Sequence, residues 1–361
     1  MKIKNLKQFL FGVAMAGIFY TSCSKNEDHE REDTGFSHGV FIINEGAFQA
    51  NNGSISYFNT DSNKIINNIF ETVNGRSLGD IVQSFGIAGD YGFIVVNNSQ
   101  KIEVVNLKSF QSVGVITGIS YPRYFLSVSD TKGYLTNGSF AGYVYVIDVI
   151  NFTITDSISV GNGPENLVKL NNFVFVANSG GWATDNTVSV IDINLDEVVD
   201  TIEVGDSPTD LVVDADANIW VLCKGNVVYD WNPPYGIQSE TESSLVKLNY
   251  STGTVELTLT IGQMGDYFNP QRLAISNDGQ TIYFNEAGGV YSMSIYDINA
   301  PTSVLIPNIF YGLEVDPYEG YIYGFFLRGF DANGYMLRYT ASGNLVDSME
   351  VGIAPNGAIF N

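Results

Sequence analysis

Histidine and cysteine are nearly missing from this chain of 361 residues, which holds two of each. His29 and His38 both precede the first apolar segment of the repeat, so no histidine triad or histidine-rich zinc site can assemble from the rest. Cys23 and Cys223 cannot make a disulfide framework. Charge is sparse and one-sided: 16% of residues are charged, with 17 Lys and Arg against 39 Asp and Glu and a net charge of −22. A duplex-binding surface needs clustered bases to neutralise phosphates, so no nucleic-acid partner is expected. The apolar run 9–20 is too short to cross a bilayer as a helix.

What is abundant points to strands. The chain carries 23 Phe, 21 Tyr and 37 Gly, a composition that favours β-structure with tight turns over long amphipathic helices.

The first residues read as an address. Lys2, Lys4 and Lys7 precede the apolar run 9–20, as in a signal peptide. Tyr20-Thr21-Ser22-Cys23 resembles a bacterial lipobox, which implies diacylation of Cys23 after removal of residues 1–22. Tyr20 stands where Leu or Val is usual. Residues 23–35 are acidic and read as a flexible tether; their start resembles the export signal of Bacteroidetes lipoproteins. Together these predict a lipid-anchored outer-membrane protein facing the cell exterior, with the lipid as its one membrane contact.

Residues 36–361 repeat one four-part phrase, most clearly in 164–170, 173–178, 188–192 and 198–205. Each part has strand length and mostly alternating apolarity. Third parts end at Asn59, Asn106, Asp148, Asp192, Asn249, Asp297 and Tyr339, at gaps of 47, 42, 44, 57, 48 and 42 residues. Seven copies at this period predict an all-β, seven-bladed β-propeller of four-stranded blades. The chain starts on a second-type part (40–44) and finishes on a first-type part (355–360), so its two ends are expected to complete one blade and close the ring. Asp214, Asp216 and Asn218 read as a hairpin turn, with a calcium loop as the alternative; an EF-hand's Gly and distal Glu are absent.

These phrases, with Val204-Gly205 and Ser207-Pro208, resemble the YncE-like and surface-layer seven-bladed propellers over nearly the whole mature chain. The stretch 39–59 after a lipobox is more narrowly similar to a Bacteroidetes lipoprotein family that includes the BtuG-type proteins. That resemblance implies capture of vitamin B12 or another corrinoid at the cell surface and delivery to a TonB-dependent transporter.

Ordering the parts from inner to outer strand puts the second-to-third and fourth-to-first connections on one face, where ligand contacts belong. Candidates there are Asn44, Asn97, Asn137, Asn178 and Asn285 at second-strand ends, with Arg123, Glu165 and Arg272 entering first strands. Aromatic and basic candidates are Phe48, Phe140, Trp182, Tyr229, Trp231, Tyr235, Tyr267, Phe268, Arg328 and Phe330. The repeated Asn has a plainer reading as a strand-end cap. The long stretch 224–241 breaks the period, and long loops with little regular structure are often functional. Aromatics among amides suit a large, flat, amide-rich ligand; a protein or glycan surface is the alternative. A calcium-dependent lactonase could be built from Glu45, Glu165 and Asp210, though single acids at dissimilar loop positions argue against it. No enzyme activity, cofactor or resident metal is expected. Cys223 ends an apolar run and reads as a buried structural thiol.

Overall fold

The computed structural model describes residues 35, 36, 38–262 and 272–361. Cys23, Tyr267 and Phe268 lie outside the described residues. Residues 35–361 form one compact unit.

Seven antiparallel four-stranded sheets, here called blades 1 to 7, follow one another along the chain. From inner to outer strand, blade 2 is Val82–Ala88, Tyr91–Val96, Lys101–Asn106 and Ser112–Ile116, and blade 3 is Pro122–Ser127, Lys132–Asn137, Tyr143–Asp148 and Thr153–Ser159. Blade 4 is Pro164–Leu170, Phe173–Asn178, Thr187–Asp192 and Glu197–Glu203; blade 5 is Pro208–Val213, Ile219–Cys223, Ser244–Asn249 and Thr254–Thr260. Blade 6 is Leu273–Ile275, Thr281–Glu286, Gly289–Ser294 and Val304–Ile306; blade 7 is Gly312–Val315, Ile322–Phe326, Asn333–Tyr339 and Leu345–Ile353. Blade 1 joins the two ends of the repeat: Pro355–Phe360 lies inside Val40–Asn44, Ser54–Asn59 and Lys64–Ile66. First strands of successive blades touch all the way round, so the ring closes.

The closing ladder pairs Val40 with Phe360, Phe41 with Ile359 and Ile42 with Ala358. Gly39 and Asn361 exchange backbone hydrogen bonds of 3.2 and 3.0 Å beyond it. Closure pairs the inner edge of Val40–Asn44, which would otherwise be an exposed strand edge.

Burial explains the low charge content. Second strands are covered on both sides, so Ile219–Cys223 is buried throughout, while the outermost Glu197–Glu203 is mostly exposed. Apolar clusters fill the gaps between blades; Phe93 of blade 2 stacks on Phe125 of blade 3 at 4.3 Å between ring centroids. Gly133 is required beneath that pair, because a Cβ there would lie 2.4 Å from Phe125 Cε2. Cys223 is fully buried, and burial pushes its thiol up to about 12, as a structural thiol should behave.

Turn chemistry recurs where third strands turn into fourth. Asn59 Oδ1 accepts from Ser62 N at 2.8 Å, Asn106 from Ser109 N at 3.1 Å, Asp148 from Ile150 N at 2.9 Å, Asp192 from Asn194 N at 2.7 Å and Asn249 from Ser251 N at 2.9 Å. The last three are Asx turns, and the first two reach one residue further on. In blade 6 the third strand stops at Ser294 rather than at the expected Asp297, whose Oδ2 folds back to accept from Ser294 N at 2.8 Å. The Asp214 segment is a turn as well: Oδ1 accepts from Asp216 N and Asn218 N, and Oδ2 accepts from the buried Trp220 Nε1 at 3.0 Å.

Two connections depart from the sequence reading. The stretch 224–241 is not an irregular loop but a hairpin of Asn226–Asp230 with Gly236–Thr241, closed by Tyr235 N donating to Asn232 O at 2.8 Å. Between blades 1 and 2 a short helix, Ile69–Asn74, buries Ile69 and Phe70 and ends on Gly75 at φ 65°.

Candidate ligand-binding face

The inner strands begin at one end of the ring, and their opening residues line a central mouth of about 230 Å³. Pro122, Pro164, Pro208 and Pro355 each start a first strand, so the following residue is the first to project beside the axis. Those residues are Arg123, Glu165, Thr209 and Asn356; Gln83 holds the matching place in blade 2, and in blade 6 Arg272 stands one residue further on, at the place of Tyr124 and Asp210. Glu45, Asn97, Tyr124, Lys224 and Tyr311 complete the polar wall.

The wall is tied together by hydrogen bonds between blades. Arg123 Nε donates to Glu165 Oε2 at 2.9 Å, and its Nη1 donates to Gln83 Oε1. Asn356 Nδ2 reaches Glu45 Oε1 at 2.8 Å and Gln83 O at 3.1 Å, and the Tyr311 hydroxyl donates to Glu45 Oε2 at 2.9 Å. Arg272 Nη1 donates to the Tyr124 hydroxyl at 3.2 Å. Beside it, Asp210 Oδ2 accepts from Leu273 N at 2.9 Å and Oδ1 accepts from Asn166 Nδ2. The carboxylates proposed for a lactonase are thus each engaged by protein donors. Among the described residues no three His, Cys, Asp or Glu side chains are grouped to hold a metal ion.

Electrostatics follows from this crowding. Burial works against the charge of Arg123 and Arg272, yet Glu165 in the first case and Tyr124 with Asp210 in the second hold both guanidiniums above their usual range. Burial raises the Tyr124 and Tyr311 hydroxyls and the Asp210 carboxyl. Glu314, half-buried on the inner strand of blade 7, is pushed up to about 8 by burial and then by Asp210, against the pull of Arg272. Burial lowers Lys224, which Arg123 and Arg272 depress further and Glu165 partly restores.

Around the mouth stands a rim of exposed rings. Trp182 is 82% exposed and Trp231 81%; Phe48, Phe140, Tyr235 and Phe330 are each more than half exposed, with Tyr229 and Tyr121 less so. All sit in second-to-third or fourth-to-first connections. Tyr229 packs on Trp231 at 6.0 Å, and Phe330 meets Tyr311 edge-on at 5.8 Å, linking rim to wall. Arg328 is exposed, with its guanidinium 5.8 Å from the Tyr335 ring.

The second-strand Asn residues divide. Asn44, Asn137, Asn178 and Asn285 are buried and hold strand ends: Asn44 Nδ2 donates to Ser56 Oγ at 3.0 Å, Asn137 Oδ1 accepts from Tyr121 N at 2.8 Å, Asn178 Nδ2 donates to Ser189 Oγ at 2.9 Å, and Asn285 Nδ2 donates to Phe310 O at 3.0 Å. Asn97 alone of the five lines the mouth, while donating to Pro122 O at 2.9 Å. Gln83, Tyr124, Lys224, Tyr311 and Glu314 had not been singled out from the sequence. The residue following each first-strand proline was the available signal for the wall, and blades 2 and 7 lack that proline.

Fold and wall together define a seven-bladed β-propeller with a polar, ringed mouth at one end. The chain belongs to a family described as a domain of unknown function, DUF5074, which matches residues 38–360. Solved structures of similar fold include hydrazine synthase from Kuenenia stuttgartiensis, at 17% identity over 78% of this chain and 92% of that one with a TM-score of 0.57. A quinonprotein alcohol dehydrogenase-like protein from Bacteroides thetaiotaomicron is 14% identical over 90% and 79% of the two chains, with a TM-score of 0.63. The periplasmic gluconolactonase of Pseudomonas aeruginosa is 12% identical over 89% and 99%, with a TM-score of 0.61. At such identities the likeness is one of fold. No curated protein matches the chain.

Proposed function

We propose that this protein is a lipid-anchored surface propeller that captures a nutrient on its ringed face without a chemical step, and that the nutrient is a corrinoid passed to a TonB-dependent outer-membrane transporter. The observation that carries a binding role is the gathering of exposed rings around one mouth, six of them more than half exposed. A flat macrocycle bearing amides can stack on such rings and hydrogen-bond to the polar wall, and a closed ring of blades limits the ordering cost of binding. The corrinoid and its transporter follow from the resemblance of the stretch 39–59 to BtuG-type proteins.

The test is size exclusion of the purified protein with cyanocobalamin, with haem and an oligosaccharide as competitors for the assignment. Corrin absorbance is expected to co-elute with protein, and Trp182→Ala with Trp231→Ala is expected to weaken binding at least tenfold. Elution of all corrin as free ligand would overturn the corrinoid assignment.

A further inference from the structure

Among the described residues, Lys224 is the base lining the mouth whose ammonium forms neither an ion pair nor a hydrogen bond. Three of the mouth's lining residues are bases, Arg123, Lys224 and Arg272, against two carboxylates, Glu45 and Glu165, in a protein of net charge −22. Glu165 is engaged by Arg123 at 2.8 Å, and Glu45 by Asn356 and Tyr311. Deeper in the channel Asp210 and Glu314 face Arg272. Among the described residues the Lys224 ammonium has neither a hydrogen-bond acceptor nor a carboxylate within 4 Å, although its backbone is fixed by Lys224 N donating to Ser207 O at 3.1 Å. A half-buried ammonium without a direct partner is a standing cost, because the hydration it has given up is only partly offset by the field of Glu165.

We propose that Lys224 is the seat of an oxyanion, a carboxylate or phosphate group of the bound ligand, with the engaged Arg123 and Arg272 adding only their positive field to the mouth. The inference rests on the mouth being where the ligand seats, and it names the chemistry of the part that enters it. A volume of about 230 Å³ admits such a group while the rim rings take the remainder. The surrounding acidic surface repels anions in general, so a cationic mouth within it selects ligands that bring enough ring-stacking surface to overcome that repulsion. Lys224 also opens the hairpin of blade 5 that carries Tyr229, Trp231 and Tyr235, so anion seating and rim stacking are joined by a few residues of backbone.

Thermal unfolding of the purified protein with inorganic phosphate and, separately, with citrate tests this at constant ionic strength set by chloride. At least one probe is expected to raise the melting temperature saturably. Lys224→Met is expected to melt no lower than the parent without anion, because it removes the unpartnered charge, and to bind the same probe at least tenfold more weakly. Lys224→Arg is expected to recover much of the response. General salt stabilisation appears equally in parent and Lys224→Met, so equal responses in the two overturn the proposal, as does the absence of saturation with both probes. Should Lys224→Met misfold, Lys224→Gln carries the same comparison. Failure of cyanocobalamin to bind while phosphate or citrate saturates would remove the corrinoid and leave the oxyanion seat; the converse would remove the seat alone.

Discussion

Where third strands turn into fourth, the connections 60–63, 107–111, 149–152, 193–196 and 250–253 are short and alike, each opened by an Asn or Asp whose side chain accepts backbone N–H groups. At the opposite end the connections 45–53, 67–81, 179–186 and 224–243 differ from one another in length, in residues and in secondary structure. Exposed rings follow the same division. Trp182, Trp231, Tyr235, Phe48, Phe140 and Phe330 stand at the variable end, while Tyr296 and Tyr318 are the large exposed aromatics at the uniform one. A repeat that must build seven similar blades fixes the chemistry of its hairpins at one end; the end that is released from the period is free to carry a site.

The largest effect expected is from removing residues 354–361, which belong to neither pattern and serve the closure itself. Without them Val40–Asn44 loses its inner partner, Glu45 loses Asn356, and the cluster of Val40, Ile42, Phe58 and Tyr323 is opened to water. Loss of the cooperative thermal transition is expected, with aggregation through the unpaired strand; a truncated protein that melts normally would separate closure from stability.

A smaller effect should come from the mouth. Folding raises the Glu314 carboxyl to about 8, so the folded chain keeps a proton there that the unfolded chain releases near the ordinary 4.5. The sign follows: stability is undiminished by this group at low pH and declines as pH climbs from about 4.5 to 8. Glu314→Gln should match the parent at pH 4.5 and exceed it at pH 8.5, by something on the order of 2 kcal/mol once the channel's access to water is allowed for. Urea titrations at the two pH values measure that gap; a gap that does not widen with pH would place the Glu314 carboxylate in better solvation than its surroundings imply.

Legibility in the sequence follows the same line between the two ends. The strands could be read because their alternation and their Asn, Asp and Gly punctuation are local, and most third strands stop where the repeat said they would, at Asn59, Asn106, Asp148, Asp192, Asn249 and Tyr339. The helix Ile69–Asn74 could not, since Ile69, Thr72 and Val73 are β-branched, and what holds it is burial of Ile69 and Phe70 against other elements. Rim aromatics were visible as departures from the period. Of the wall, Arg123, Glu165 and Arg272 stood out at or just after prolines, but Gln83, Lys224 and Tyr311 come from blades 2, 5 and 7 and meet only once the ring has closed. Their shared role is a property of the axis rather than of any window of sequence.

The smallest and sharpest comparison takes one residue from each end of blade 4. Asp192 Oδ1 accepts from Asn194 N at 2.7 Å in a turn of the uniform type, and Asp192→Ala should cost about 1 kcal/mol with no change in ligand capture. Trp182, 82% exposed, should leave stability within about 0.5 kcal/mol when changed to Ala while weakening capture. Denaturant midpoints and ligand titrations on the two variants give four numbers. Crossed results, with stability lost at Trp182 or capture lost at Asp192, would mean that the uniform end also binds, or that the rim rings fold back as supports for their own loops. The expected pattern instead ties capture to the residues that break the repeat, because a ring exposed at this level has little packing to lose and a turn made five times over has no reason to face a single ligand.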